Sequence, residues 1–259
     1  MKGNPFRSDL ALKNSSLHWA SANGLTASEN YTRFDPFTAR AHDEFRRFVI
    51  EPAFSCIGAK AAFHSNAYGF GGYDRLGSVE ATAGLCHDLC CFTQSKLVDQ
   101  SEFATFVAVF GEPKNVDEQA FEQLLWQQLR QLHIEDRAHF NWDSSVSANP
   151  KDPHFSFSFA GRAFYVVGMH GNSSRTARRF SWPALVFNPH EQFQRMRTDG
   201  KWRRMQNSIR AREVVLQGSV NPMLNDFGER SEARQYSGRD VPDDWIPPVP
   251  KSGKCPFGH

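Results

Sequence analysis

The chain has 259 residues, enough to bury a substantial core, and its 30 Lys and Arg against 28 Asp and Glu leave a formal charge of +2. So near-neutral a total gives no ground for bulk nucleic-acid binding or membrane-surface attraction. No stretch approaches the roughly 20 apolar residues of a transmembrane helix, MKGNPFRSDLALKNSS lacks an apolar signal core, and the five cysteines do not read as a disulfide framework, so a cytoplasmic chain with reduced thiols is expected.

Residues 1–34 are polar and read as an irregular segment. Asp35-Pro36 is an N-cap followed by proline in the first turn, and Phe37, Ala41, Phe45, Phe48 and Val49 predict a helix over 36–50. The glycine- and aromatic-rich stretch from Ala53 to Ser78, which holds Cys56, reads as a loop that comes close to a ligand. A helix over 79–98, a buried strand over 103–110 and a helix over 117–134 follow. FSFSFA (155–160) alternates strictly, Gly161-Arg162 turns the chain into AFYVVGM (163–169), and ALVFN (184–188) is a further strand. Pro189 opens a helix carrying His190, Phe193 and Arg197, and another spans 202–215. From Gln217 onward the chain is rich in Pro, Gly, Ser and charge, an ordered tail wrapping over the body. Helices among strands joined by short turns predict a single α+β domain with a mainly antiparallel sheet, flanking helices and an irregular C-terminal tail.

The candidate chemistry concentrates between Phe164 and Arg197. Two apolar strands each end at a histidine, His170 and His190, with Arg175, Arg178 and Arg179 between them. Nitrogen ligands and fixed cations beside hydrophobic walls suit a flat, apolar, anionic cofactor such as haem better than a bare metal ion. Between Arg162 and Glu213 eleven Lys or Arg residues face Glu191, Asp199 and Glu213, an excess that fits an anionic ligand or an exposed basic face. His170 and His190 are candidate iron ligands, His170 preferred, with glycines 168 and 171 leaving room beside it. The arginines would grip carboxylates such as haem propionates. Cys56 is a third possible axial ligand, as a thiolate, against the commoner packed cysteine. CHDLCC is better read as helix-core cysteines than as a zinc site, because His87 points away from Cys86 and Cys90. No G-x-S-x-G elbow, P-loop or well-placed G-x-G-x-x-G is present to anchor hydrolase or nucleotide readings.

Several long blocks carry a family resemblance: FSCIGAKAA (54–62), FSFSFAGRAFYVVGMHGNSSRTARRF (155–180), PALVFNPHEQF (183–193), IRAREVVLQGSVNPML (209–224), SEARQYSGR (231–239) and CPF (255–257). In these the chain resembles the YqcI/YcgG family, and within it the branch of haem-dependent guanidine N-hydroxylases. Gly171 stands where that resemblance leads one to expect proline. The resemblance implies that residues 35–259 form one haem b-binding domain that uses dioxygen and external electrons, from an unidentified donor, to convert a guanidine N–H of arginine or an arginine derivative to N–OH. A cationic guanidinium calls for carboxylates, and Glu229 and Glu232 are the candidates, since a carboxylate holds it with two parallel hydrogen bonds. Asn188 and Asn221 orient the substrate backbone or cap turns. The alternatives are a non-catalytic haem carrier or sensor, and a cofactor-free interaction protein whose arginine loop is solvated surface.

Overall fold

The computed structural model describes residues 3–28, 35–223 and 225–248; the block 255–257 and Cys255 lie outside them. The architecture is α+β, in one domain. The elements run α1 (Asp9–Asn14), β1 (His18–Ser21), β2 (Gly24–Ala27), α2 (Pro36–Ile50), α3 (Ile57–His64), β3 (Tyr68–Arg75), α4 (Val79–Thr93), α5 (Lys96–Gln100), β4 (Thr105–Glu112), α6 (Glu118–Asp136), β5 (Phe157–Phe159), β6 (Arg162–Met169), β7 (Ala184–Pro189), α7 (His190–Thr198) and α8 (Lys201–Gln217). They build one sheet of order β2-β1-β3-β4-β7-β6-β5, in which the β3–β4 pair is parallel and the others are antiparallel.

Local chemistry explains most boundaries. Asp35 accepts from the Phe37 and Thr38 amides to cap α2, Ser78 caps α4 and Asp117 caps α6. The β5–β6 turn runs through Ala160 and Gly161, both at positive φ, as a tight hairpin with its strand twist requires.

Three expectations are corrected. The first 34 residues are not irregular throughout: Asp9–Asn14 forms α1 and the β1–β2 hairpin extends the sheet, tied down where the Ser15 hydroxyl, the Ser16 amide and the Tyr73 hydroxyl all bond buried Asp88. Nor is 53–78 a loop, for it holds α3 and β3. The glycines of β3 allow close packing instead of a turn; a Cβ at Gly72 would overlap the Thr38 side chain of α2, and one at Gly69 would lie 2.8 Å from Phe106. The predicted long helix over 79–98 is two helices, broken at Gln94-Ser95.

Strand alternation sorts the core onto two sheet faces. Phe106, Ala108 and Phe110 of β4, Phe164 and Val166 of β6, and Leu185 and Phe187 of β7 pack against α4 and α6 in a filled core. Val107, Val109, Met169 and Ala184 point the other way, toward α2 and α3.

Candidate functional site

On that second face lies a cavity of about 260 Å³. Its floor is a single parity class of the sheet: Thr105 and Val107, then Tyr165, Val167 and Met169, then Val186 and Asn188. The register makes these neighbours, with Tyr165 opposite Asn188 and Val167 opposite Val186. α2 and α3 supply one wall, α7 and α8 another, and residues 225–235 the rim.

The same parity separates the two histidines. His190 follows Asn188 by two positions and faces the cavity; His170 follows Gly168 and faces α6. His170 is 1% exposed and stacks on Phe121 at 4.4 Å, outside the cavity lining. The preference for His170 is therefore reversed by the geometry. Gly168 does not make room for a ligand beside it either, since a Cβ there would meet Leu125 at 2.6 Å and Phe121 at 2.8 Å.

His190 begins α7 and packs on Phe227, ring centroids 4.5 Å apart. Burial, reinforced by Arg197, lowers its pKa to about 4, so the imidazole is neutral at neutral pH with a lone pair to offer. Its Nε2 is buried and has no hydrogen-bond partner among the described residues.

The arginine loop mostly serves the fold. Arg178 lines the cavity, but its guanidinium donates to the Gly168, Gln235 and Tyr236 carbonyls. Arg175 pairs with Glu213 at 3.7 Å, and Arg179 is exposed and bonds Ser173 and Ser174 carbonyls. The cations with unused donors sit elsewhere. Arg197 of α7 and Arg210 of α8 line the cavity, and the Arg197 Nη1, Arg210 Nε and Trp202 Nε1 atoms are buried with no hydrogen-bond partner among the described residues. Arg197 lies over the Trp202 ring at 4.9 Å, which holds the guanidinium in place. The sequence reading missed both as cavity residues, although His190, Phe193 and Arg197 share one face of α7 by their spacing.

The carboxylates also divide. Glu229 is exposed, outside the lining, and accepts from the Asp226 amide. Glu232 is buried at the cavity wall. Its Oε1 accepts from Ser156 at 2.7 Å and Tyr236 at 2.6 Å, while Oε2 lies 4.0 Å from His190 Nε2. Burial pushes its pKa to about 8 despite those donors, so it is largely protonated at pH 7. Asn188 lines the floor and donates to the Tyr165 carbonyl; Asn221 lies outside the lining and accepts from the Met223 amide.

Cys56 does start a helix: it is the N-cap of α3, its sulfur accepting from the Ala59 amide, and it lines the cavity. Burial raises its thiol pKa. Cys86 and Cys90 are core residues of α4. Among the described residues no three His, Cys, Asp or Glu side chains converge as a bare metal ion requires. The site thus combines apolar walls, a neutral imidazole, cationic donors without partners and one buried acid. Such a set suits an apolar ligand carrying anionic groups.

No helix among the described residues is long and apolar enough to cross a membrane. No curated protein and no solved structure matches the chain. The sequence model of the YqcI/YcgG family matches residues 45–257, a span that takes in every cavity wall from α2 to the rim, and the chain belongs to the YqcI/YcgG family.

Proposed function

We propose that the cavity binds haem b and that the protein N-hydroxylates the guanidine group of arginine or an arginine-derived substrate, using dioxygen and external electrons. The observation that carries this reading is the coincidence, in one apolar cavity, of His190 Nε2 with Arg197 Nη1 and Arg210 Nε, each without a hydrogen-bond partner among the described residues. A porphyrin brings four nitrogens of its own and needs few protein ligands, and its propionates need cations. The donor set therefore fits the group.

His190 would hold the iron, since its neutral imidazole needs no deprotonation, whereas the buried Cys56 thiol would have to give up a proton held by desolvation. Arg197 and Arg210 would take the propionates. When bound, haem b supplies an iron centre that activates dioxygen. Glu232 would receive the guanidinium: Ser156 and Tyr236 fix Oε1, and the carboxyl must lose its proton to pair with the cation. Asn188 sits on the floor beside Tyr165, placed to orient the rest of the substrate.

The test is the visible spectrum of protein loaded with haem, in ferric and ferrous-CO forms, for wild type, H190A, H170A and C56A. Loss or shift of the bands in H190A, with H170A unchanged, supports the assignment. An unchanged H190A spectrum alongside a perturbed C56A spectrum transfers the iron to sulfur. A colourless wild type refutes haem altogether. Turnover of arginine-like guanidines with dioxygen and a reductant separates the hydroxylase from a carrier or sensor.

A further inference from the structure

The two sides of α8 differ in kind. Trp202, Met205, Ile209 and Glu213 face the cavity, while Arg203, Arg204, Asn207, Ala211, Val214 and Val215 are exposed. No residue of the helix is buried, so nothing in the described structure covers its outer side. The floor of the cavity is backed by the filled core under α4 and α6, whereas α8 is a wall one helix thick. A helix with its side chains is roughly 10–12 Å across, so the shortest path from solvent to the cavity through this wall is about that long.

The outer surface is cationic at one end and apolar at the other. Arg203 and Arg204, together with Arg195 of α7, are exposed and have no carboxylate within 4.0 Å among the described residues. Lys201 beside them is already committed to Glu102 at 2.5 Å and to Asp199 at 4.0 Å, and Arg162 holds both Asp99 and Glu191. The nearby acids are thus paired, and the excess charge is positive. At the other end Val215 is 89% exposed and Val214 47%. Unpaired cations at one end of the helix and a small apolar contact at the other describe a weak, transient interface that is steered by charge.

We propose that the outer face of α8 is the docking surface for a small acidic electron-carrier protein. This rests on the haem hydroxylase reading above. There, one atom of dioxygen enters the new N–O bond and the other leaves as water, which consumes two electrons and two protons for each N–H converted to N–OH. Two reduced one-electron carriers are oxidised per turnover, each docking in turn. Arg203 and Arg204 attract the carrier's acidic surface, and Val214 and Val215 provide the apolar contact, one helix away from the cavity.

The test compares wild type with R203E/R204E in two reduction assays on the haem-loaded protein. One uses a reduced plant-type [2Fe–2S] ferredoxin of net negative charge; the other uses dithionite. With ferredoxin, the second-order rate of haem reduction is expected to fall about tenfold in the variant and to lose its dependence on salt. With dithionite the two proteins should be reduced alike, which also shows that the variant is folded and loaded. The proposal is overturned if ferredoxin reduces both proteins equally, if it reduces neither while dithionite reduces both, or if both reductants slow together. Failure of the underlying reading shows itself separately, as absence of haem bands before any carrier is added.

Discussion

α6 and α8 are helices of similar length on opposite faces of the same sheet, and they do opposite things with their apolar residues. α6 buries Phe121, Leu125, Trp126, Leu129 and Leu132 in the core it shares with α4 and one face of the sheet; α8 has no buried residue and turns Trp202, Met205 and Ile209 toward a cavity. The first stripe fills space and is held by dispersion and burial. The second encloses space, and its residues are left half-buried. A helix that lines without filling contributes little to folding and much to binding.

The largest effect should come from the filled side. Leu125→Ala is expected to cost about 2–5 kcal/mol in denaturant unfolding. Ile209→Ala on α8 should cost less than about 1 kcal/mol without ligand, because no packed cavity is created; on the proposed haem reading it should also weaken retention of added haem. Equal costs at the two positions would break the comparison.

The histidines sharpen it. His170→Ala removes a buried ring stacked on Phe121 and should destabilise by about 1–3 kcal/mol; on the proposed haem reading it should leave the bands of haem-loaded protein in place. His190→Ala removes a ring that is also buried, packed on Phe227, and should cost a similar amount, but on the same reading it should abolish or shift those bands. A spectral change in H170A would return the iron to the α6 side.

The pH dependence comes next. Glu232 has a folded pKa of about 8, above its ordinary 4.5, so the folded state holds the proton more tightly and stability falls as pH rises from about 4.5 to 8. His190, lowered to about 4 from 6.5, contributes the opposite slope, stability rising between about pH 4 and 6.5. Asp136 on the α6 side, raised to about 7 by burial, adds a decline that ends near pH 7. From pH 7 to 8 the decline belongs to Glu232 together with His87, whose burial is outweighed by its hydrogen bonds to Asp88 and Cys91 so that its pKa rises to about 9 from 6.5; Glu232→Gln should make the slope shallower in urea titrations across that range and leave the His87 part. On the proposed substrate reading, the same protonation predicts that guanidinium binding releases a proton and tightens as pH rises toward 8, a gain that E232Q should lose.

The smallest effect should be on the outer face of α8, where Val215→Ser is expected to move stability by less than about 0.5 kcal/mol.

Much of the frame was legible beforehand. α2 and α6 announce themselves by Asp35-Pro36 and Asp117 and by their apolar spacing, and the β5–β6 hairpin by strict alternation about Gly161. The residues from 53 to 78 were not legible, because glycine reads as a turn signal whether it frees the chain or, as at Gly69 and Gly72, lets a strand approach its neighbours. The hairpin at residues 18–27 was missed because four-residue strands are too short to show a period.

At the site the division is physical. Sequence by itself determined the strands over 155–160, 163–169 and 184–188 and their two-residue alternation, which sets His170 two positions on from Gly168 and His190 two on from Asn188. Which parity faces a cavity was decided only when α6 closed on one side and α8 arched over the other. Likewise the basic character of residues 162–213 is written in the chain, but whether a guanidinium is spent on carbonyls, as Arg178 is, or left with free donors, as Arg197 and Arg210 are, depends on what folding brings within hydrogen-bond reach.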